Sequence, residues 1–373
     1  MNLNKIRKFF RKPHIFFRDF LNKRFPPYNV EQPIPETEEF TLINADANLA
    51  SLTENVLPNF PIDVVFTWVD NTDKAWQEQY YRTLQPIDQE DIGLYATDPA
   101  RFSNHNELFY SVQAVQKFMP WVRNIFIVTA DQKPKWLDEN SHSKIKLIDH
   151  SQIIDAKYLP TFNSHVIEAN LYKIPGLSEH FIYFNDDVFV ARPMTPNHFF
   201  ENNGLASLFV ANKSFQKMRQ RGLITPTLTA SEHALKLLKR HYPTININTP
   251  LVHTYVPLRK TSFQKAWSLF EDEINSFLNN KVRHNSELNM ASFLVPWLMY
   301  LDGYATPKRE ICYYFNIRSS HAQTQYKKLL FKKKYLHMPH SFCINDSSSN
   351  NADKNYALHF RNFMDTYFEI EAE

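Results

Sequence analysis

Phe181-Ile182-Tyr183-Phe184-Asn185-Asp186-Asp187-Val188-Phe189-Val190 sets two apolar runs around three polar residues. Phe181 to Phe184 shows no polar alternation, so it reads as a strand buried on both faces. It stops at Asn185-Asp186-Asp187, and the extended pattern resumes at Val188 to Val190. Working outward, Ile62 to Val69 (IDVVFTWV) is a similar run, bounded by Pro61 and Asp70-Asn71. Asn124 to Thr129 (NIFIVT) is another and ends at Asp131; Lys144 to Ile148 is a short further strand. Between them, Leu108, Val112, Val115 and Met119 keep helical spacing, with Ser103 or Asn104 available as a cap. Ser164 to Ile174 has helical character. Strands alternating with helices predict an α/β body with a mostly parallel sheet and helices on both faces. From about residue 205 the pattern turns mainly helical, clearest at Ser231 to His241 and Ser262 to Leu278.

Sheets of this kind bind ligands beyond the carboxyl ends of their strands. Asp70, Asp131 and Asn185-Asp186-Asp187 all fall just past strand ends, so acids gather on one edge. Asn185-Asp186-Asp187 reads either as a turn between strands or as ligands for hard Mg²⁺ or Mn²⁺ bridging to a diphosphate. Lys281-Val282-Arg283-His284-Asn285-Ser286-Glu287 packs two cations, an imidazole and an acid into seven residues. Arg283 offers a planar fork to phosphate oxygens and His284 a proton acceptor. The competing reading is a helix start, with Asn285 as cap and Glu287 in the first turn. Leu159 to Asn163 leads into a first turn carrying His165 and Glu168; His253, with Pro257 and Arg259 behind it, is similarly ambiguous.

Composition narrows the chemistry. The chain has five glycines in 373 residues, and they lie far apart. No Gly-rich phosphate cradle of the P-loop or dinucleotide-binding kind fits that spacing. Nucleotide binding must then use side chains, helix ends and metal. The two cysteines, Cys312 and Cys343, exclude a disulfide framework and a cysteine-only zinc site. The longest mostly apolar run, Met290 to Leu301, holds Pro296 and is too short to span a bilayer. No signal-peptide pattern is expected at the N-terminus.

The net charge of +3 is unevenly spread. Residues 1–24 carry eight basic side chains and one acid, which leaves the rest of the chain at −4. Ile6, Phe9 and Phe10, then Phe16, Phe17, Phe20 and Leu21, recur at helical spacing around Pro13. Aromatics on one face and cations on the other suit a helix lying in a membrane interface. Residues 1–25 are therefore read as a docking segment, 26–61 as a Pro-rich linker, 62–204 as the α/β core, and 205–373 as a mainly helical part completing the site. Tyr326 to His337 repeats the basic-aromatic theme.

Four blocks now decide between the readings. Ile62 to Asp70 with Asp73 resembles the first conserved region of the Stealth family, the bacterial capsular polysaccharide phosphotransferases and their animal N-acetylglucosamine-1-phosphotransferase relatives. Arg101-Phe102, Asn106-Glu107-Leu108, Tyr110-Ser111, Pro120 to Ile125, Pro134 to Leu137, Leu159 to His165, Ile167-Glu168, Ile174 to Ser178 and Asn185-Asp186-Asp187 are similar to the second. Thr249-Pro250 to Arg259 with Lys281 to Glu287 resembles the third, and Ser341 to Asp346 the fourth. Asn104 stands where an Asp is common in the family, and Phe109 and Gln113 where Arg is common.

The resemblance implies a nucleotide-sugar-transferase-like sheet (GT-A/Rossmann-like). It implies transfer of a sugar-1-phosphate from a nucleotide sugar, UDP-linked, to a hydroxyl of a growing capsular polysaccharide, with UMP leaving. Asp186 and Asp187 would hold Mg²⁺ or Mn²⁺. Arg283, with Lys281 and Arg259, would stabilise phosphoryl charge. His284 is the first expectation for the proton acceptor and His165 the second. Asp70 and Asp73 would contact the nucleoside; Arg101, Glu107, Asn163, Glu168 and His253 would orient substrate or metal ligands. The partners expected are donor, polysaccharide acceptor, the anionic inner-membrane surface and capsule-assembly proteins, with no nucleic acid, for an enzyme peripheral on the cytoplasmic face. The alternatives are a metal-dependent glycosyltransferase releasing UDP and a non-catalytic scaffold of a capsule-assembly complex.

Overall fold

Five strands form the central sheet: β1 (Ile62–Thr67), β2 (Ile125–Thr129), β3 (Ile145–Asp149), β4 (His180–Asn185) and, after two strands elsewhere, β7 (Val256–Arg259). They come from a computed structural model that describes residues 12–24, 34–52, 57–85, 98–138, 143–222, 225–347 and 354–370. The spatial order is β3-β2-β1-β4-β7. The first four are parallel, and β7 runs antiparallel to β4 with His180 opposite Arg259. Helices cover both sides of the sheet. That is why β1 from Ile62 to Phe66 and all of β2 are buried without alternation.

Directly after Asn185 the chain leaves this sheet. β5 (Val188–Val190) joins a second, three-stranded sheet in the order β5-β10-β9, with β9 at Cys312–Asn316 and β10 at Ser341–Asn345. A pair, β6 (Ala206–Phe209) with β8 (Ala305–Lys308), completes the strands among the described residues. Aromatic pairs pack along each sheet: Phe66 against Phe184 at 5.1 Å, Phe184 against Tyr255 at 5.3 Å, Phe189 stacked on Phe342 at 5.2 Å. Each such ring removed from water contributes about 1.5–3 kcal/mol. The main core cluster runs from Ile62 to Phe368, and a smaller one gathers Trp76, Tyr80, Phe162 and Val282.

Two expectations about organisation change. A boundary at 204/205 does not separate the packing, because β7 pairs with β4 and β10 with β5 across it. The expected linker holds a 17-residue helix, Glu36–Leu52, docked on the body. Ion pairs hold it: Glu38 with Arg309 (2.7 Å), Glu39 with Lys332 (2.9 Å), and Asp46 with both Arg192 (3.1 Å) and His340 (2.5 Å). Its Ile43 is buried. Local sequence shows prolines and acids there; the partners lie hundreds of positions away. Of the docking segment 1–25, Pro13–Arg24 is helical, while residues 1–11 and 25 lie outside the described residues.

At the amino end of the sheet a charged knot ties three strands. Asp63, fully buried in β1, takes Arg123 Nε at 2.9 Å and Nη2 at 2.5 Å, the Asn124 N–H at 3.1 Å and the Ser178 N–H at 2.8 Å.

Candidate active site

The turn Asn185-Asp186-Asp187 lies at the carboxyl end of β4, where the two sheets meet. Tyr183 sends its hydroxyl to Asn185 Oδ1 at 2.8 Å and sits 3.1 Å from Thr67 Oγ1 at the end of β1. The end of β10 covers the turn from the other side. Asp187 Oδ2 accepts from Cys343 Sγ at 3.4 Å and from Asn345 Nδ2 at 3.2 Å, and its carbonyl accepts from Ile344 N–H at 3.0 Å. Asp187 Oδ1 is buried and has no hydrogen-bond partner.

Electrostatics mark this end as acid-rich. Burial, then the charge of Asp187, pushes the Asp186 carboxyl up to about 7. Glu107, buried in the first turn of the Glu107–Phe118 helix, is raised well above the carboxylate range by burial and by Asp186. Its Oε2 accepts the His105 N–H at 2.6 Å. The Tyr183 phenol is raised by burial and by Glu168, whose Oε2 is buried without a partner. Arg283 acts on the same phenol in the opposite direction.

Arg283 comes from the loop Asn280–Glu287, which is sewn to the turn before the Ser164–Glu168 helix. Phe162 N–H donates to Lys281 O at 2.7 Å, and Asn163 Nδ2 to Asn280 O (3.1 Å) and Val282 O (3.2 Å). The guanidinium donates to Ser164 Oγ (3.1 and 2.6 Å) and Thr227 Oγ1 (3.1 Å), and no carboxylate pairs with it among the described residues. His165 is 1% exposed, and its Nδ1 lies 2.7 Å from Glu287 Oε2. His284 folds back on its own loop, its Nδ1 accepting from Ser286 N–H at 3.1 Å.

The remaining expected residues divide between this cleft and elsewhere. His253 is half-buried beside the turn. One ligand atom each from His253, Asp187 and Cys343 lie within 4.8 Å of one another. Asp70 lines a neighbouring cleft of ≈ 580 Å³ with Trp68, Asn104, Lys135 and Trp136, and its Oδ1 is held by Thr72 N–H (2.9 Å) and hydroxyl (2.7 Å). Asp73 caps the Lys74–Leu84 helix through Trp76 N–H at 2.8 Å. Lys281 Nζ is committed to the carbonyls of Tyr158 (2.9 Å) and Leu159 (3.3 Å). The backbone of Arg101 lies in the Pro99–Phe102 turn; its side chain is outside the described residues. Arg259 lies away from the turn. It pairs with Glu179 at 3.0 Å opposite His180, at the amino end of β4. A strand rises ~3.3 Å per residue, so the length of β4 separates it from Asn185.

Sequence reasoning passed over Tyr183, Cys343, Asn345 and the role of Glu287. Cys343 and Asn345 stood inside a quoted block, and Glu287 was visible only as a helix-start acid; what each touches is set by contacts distant in the chain.

The residues fit a hard divalent cation. An orphaned carboxylate oxygen on Asp187 and carboxyls raised by their own crowding are what a bound Mg²⁺ or Mn²⁺ would relieve. Cys343 is a poor ligand for such an ion, since burial and Asp187 keep its thiol protonated.

Residues 60–83 match Stealth protein CR1, conserved region 1, and residues 101–208 match Stealth protein CR2, conserved region 2. The chain is 96% identical over 373 residues to a capsular polysaccharide phosphotransferase of Neisseria meningitidis serogroup B, covering 100% of both. It is 57% identical over 365 residues to a capsular polysaccharide phosphotransferase of Actinobacillus suis, covering 98% of each. Among solved structures, a galactosyltransferase in complex with donor and acceptor sugar analogues aligns with 82% of this chain and 95% of its own, at TM-score 0.41 and 11% identity. With conserved regions in place and relatives matched end to end, the chain belongs to the Stealth family of capsular polysaccharide phosphotransferases.

Proposed function

We propose that the chain transfers a sugar-1-phosphate from a uridine diphosphate sugar to a hydroxyl of a growing capsular polysaccharide. The acceptor oxygen bonds to the sugar-side phosphorus, the bridging P–O bond breaks, UMP leaves, and a phosphodiester remains. The observation that carries this reading is the company kept by Tyr183: its hydroxyl bonds Asn185 beside Asp186 and Asp187, and Arg283, which has only hydroxyl partners among the described residues, acts on the same phenol.

Asp186 and Asp187 would hold the Mg²⁺ or Mn²⁺, which neutralises diphosphate charge when bound. Arg283 offers its fork to the phosphoryl oxygens as charge builds. Glu107 and Glu168 line the same acidic end and orient sugar hydroxyls. Asp70, with Trp68, Trp136 and Lys135, gives the adjoining cleft a face for the nucleoside. The acceptor proton goes to His253 in this reading, ahead of His284 and His165. A base must reach the attacking oxygen. His253 stands half-buried beside Asp187, whereas His165 is sealed against Glu287 and His284 is turned onto Ser286.

The test is to incubate the protein with a panel of nucleotide sugars and oligosaccharide acceptors and identify the nucleotide released. UMP with a phosphodiester product supports the reading. UDP with a glycosidic bond overturns it in favour of a glycosyltransferase.

We also propose work at an anionic membrane surface, on the cytoplasmic side. No helix among the described residues is long and apolar enough to cross a membrane. The Pro13–Arg24 helix exposes Phe17, Phe20 and Leu21, and the Ala322–Lys334 helix, with five lysines and no acid, ends in exposed Phe331, Tyr335 and Leu336. Apolar side chains amid cations suit an anionic interface. Flotation with phosphatidylglycerol vesicles and with phosphatidylcholine vesicles tests it; equal flotation with both would count against it.

A further inference from the structure

Glu287 is completely buried, yet its carboxylate is held below the ordinary range. Burial alone would raise it; the His165 ring, the His284 N–H and the Asn163 amide overcome that. Oε2 faces His165 Nδ1 at 2.7 Å. Oε1 accepts the His284 N–H at 2.7 Å and a short bond from Asn163 Nδ2. One carboxylate thus grips both sides of the gap between the Asn280–Glu287 loop and the 163–165 turn. Arg283 sits immediately before His284, and Ser164, which receives two of its guanidinium bonds, sits between Asn163 and His165. Glu287 therefore holds the residue after Arg283 and the residues on both sides of Ser164, and Thr227 gives the fork a further anchor.

We infer that Glu287 is a positioning residue for phosphoryl transfer: it fixes the aim of Arg283 by locking the two segments that carry Arg283 and Ser164. The inference rests on Arg283 acting as the phosphoryl clamp. It makes a specific demand on additivity. Residues that act as one unit lose their effect together, whereas a general packing defect multiplies with the loss of Arg283. Glu287→Gln is the informative change. It keeps the shape and removes the charge: on the Oε1 side the new NH₂ meets the His284 N–H and the Asn163 amide, both donors, and on the other side it requires the His165 ring nitrogen to accept.

The experiment is a double-mutant cycle on the full chain. It uses the UDP-sugar that supports turnover in the panel, with thermal unfolding confirming that each variant is folded. Arg283→Ala and Glu287→Gln should each lower kcat by ~10²-fold, the usual worth of a transition-state charge contact. The acceptor KM should not move. The double variant should fall no more than about threefold below Arg283→Ala alone. Losses that multiply to ~10⁴-fold overturn the inference, as does Glu287→Gln at wild-type rate while Arg283→Ala is slow. Arg283→Ala at wild-type rate overturns the clamp and this inference with it. If Glu287→Gln does not fold, Ser164→Ala takes its place. It should lower the rate about tenfold in the wild-type background and not at all beside Arg283→Ala, because its hydroxyl acts only through that fork.

Discussion

The two ends of the central sheet handle charge in opposite ways. At the amino end, Asp63 is matched by Arg123 and two backbone N–H groups, and Glu179 by Arg259. At the carboxyl end, Asp186 is raised by burial and by the charge of Asp187; Asp187 and Glu168 each keep an oxygen without a partner, and Arg283 pairs with no carboxylate among the described residues. One strand, β4, connects a settled set of charges to an unsettled one. A folded chain tolerates the second arrangement when a ligand completes it, and tolerates the first without any ligand. The matched end holds the sheet; the unmatched end is left for chemistry.

Substitutions test that division. Asp187→Ala should cut turnover about 10³-fold, because a metal contact supplies several kcal/mol of charge stabilisation. Chelation should do the same to the wild type, with recovery on adding Mg²⁺ or Mn²⁺. Melting temperature should hold or rise in the variant, and a large fall would blur the contrast. Asp63→Ala should do the reverse. Losing this buried carboxylate strands the Asn124 and Ser178 N–H donors at about 1–3 kcal/mol each, read by urea unfolding, while turnover per folded molecule stays near wild type. His253→Ala should lose ~10²-fold in kcat together with the acid limb of the pH profile. If that limb survives, the proton acceptor is His284 or His165.

The pH response sharpens the comparison further. Asp186 is raised in the folded chain to about 7, against an ordinary 3.8, so the folded state holds the proton more tightly than the unfolded one. Its contribution to stability is present below that ordinary value and is lost as pH rises through about 7. In chelator, Asp186→Asn should therefore melt with the wild type at pH ~3, above it at pH ~5 and furthest above it at pH ~8. Parallel curves would mean the turn carries no such strain. Smallest of all is Arg259→Ala, a partly exposed pair at the matched end. It should shift stability by under about 1 kcal/mol and turnover by less than twofold.

How much was legible follows from which forces are local. β1, β2, β4 and β5 announced themselves because strands buried on both faces are apolar throughout, and periodicity needs nothing from the rest of the chain. The Asn185-Asp186-Asp187 strand end was legible for the same reason. β7 was not, since Val256-Pro257-Leu258-Arg259 carries a proline that only an antiparallel edge position accommodates. The Glu36–Leu52 helix hid among prolines because its support is ion pairs with residues up to 294 positions away. In the site, residue types were readable and partners were not. Lys281 and Arg283 look alike in sequence. One is spent on carbonyls and the other rests on hydroxyls, and that difference is set by a contact 119 positions off.

The passage of the chain from one sheet to another at Asp186 has a mechanical consequence. β4 ends in the central sheet, β5 begins in the small one, and Asp187 is fastened to β10 through Cys343, Asn345 and the Ile344 N–H. The acidic turn is thus a hinge pin between two plates. Whatever binds there braces the plates against each other, and by reciprocity anything that stiffens the seam tightens the bound ion. Amide exchange at Ile344, whose N–H bonds the Asp187 carbonyl, should slow when the cation arrives, giving a reporter of occupancy that requires no turnover at all.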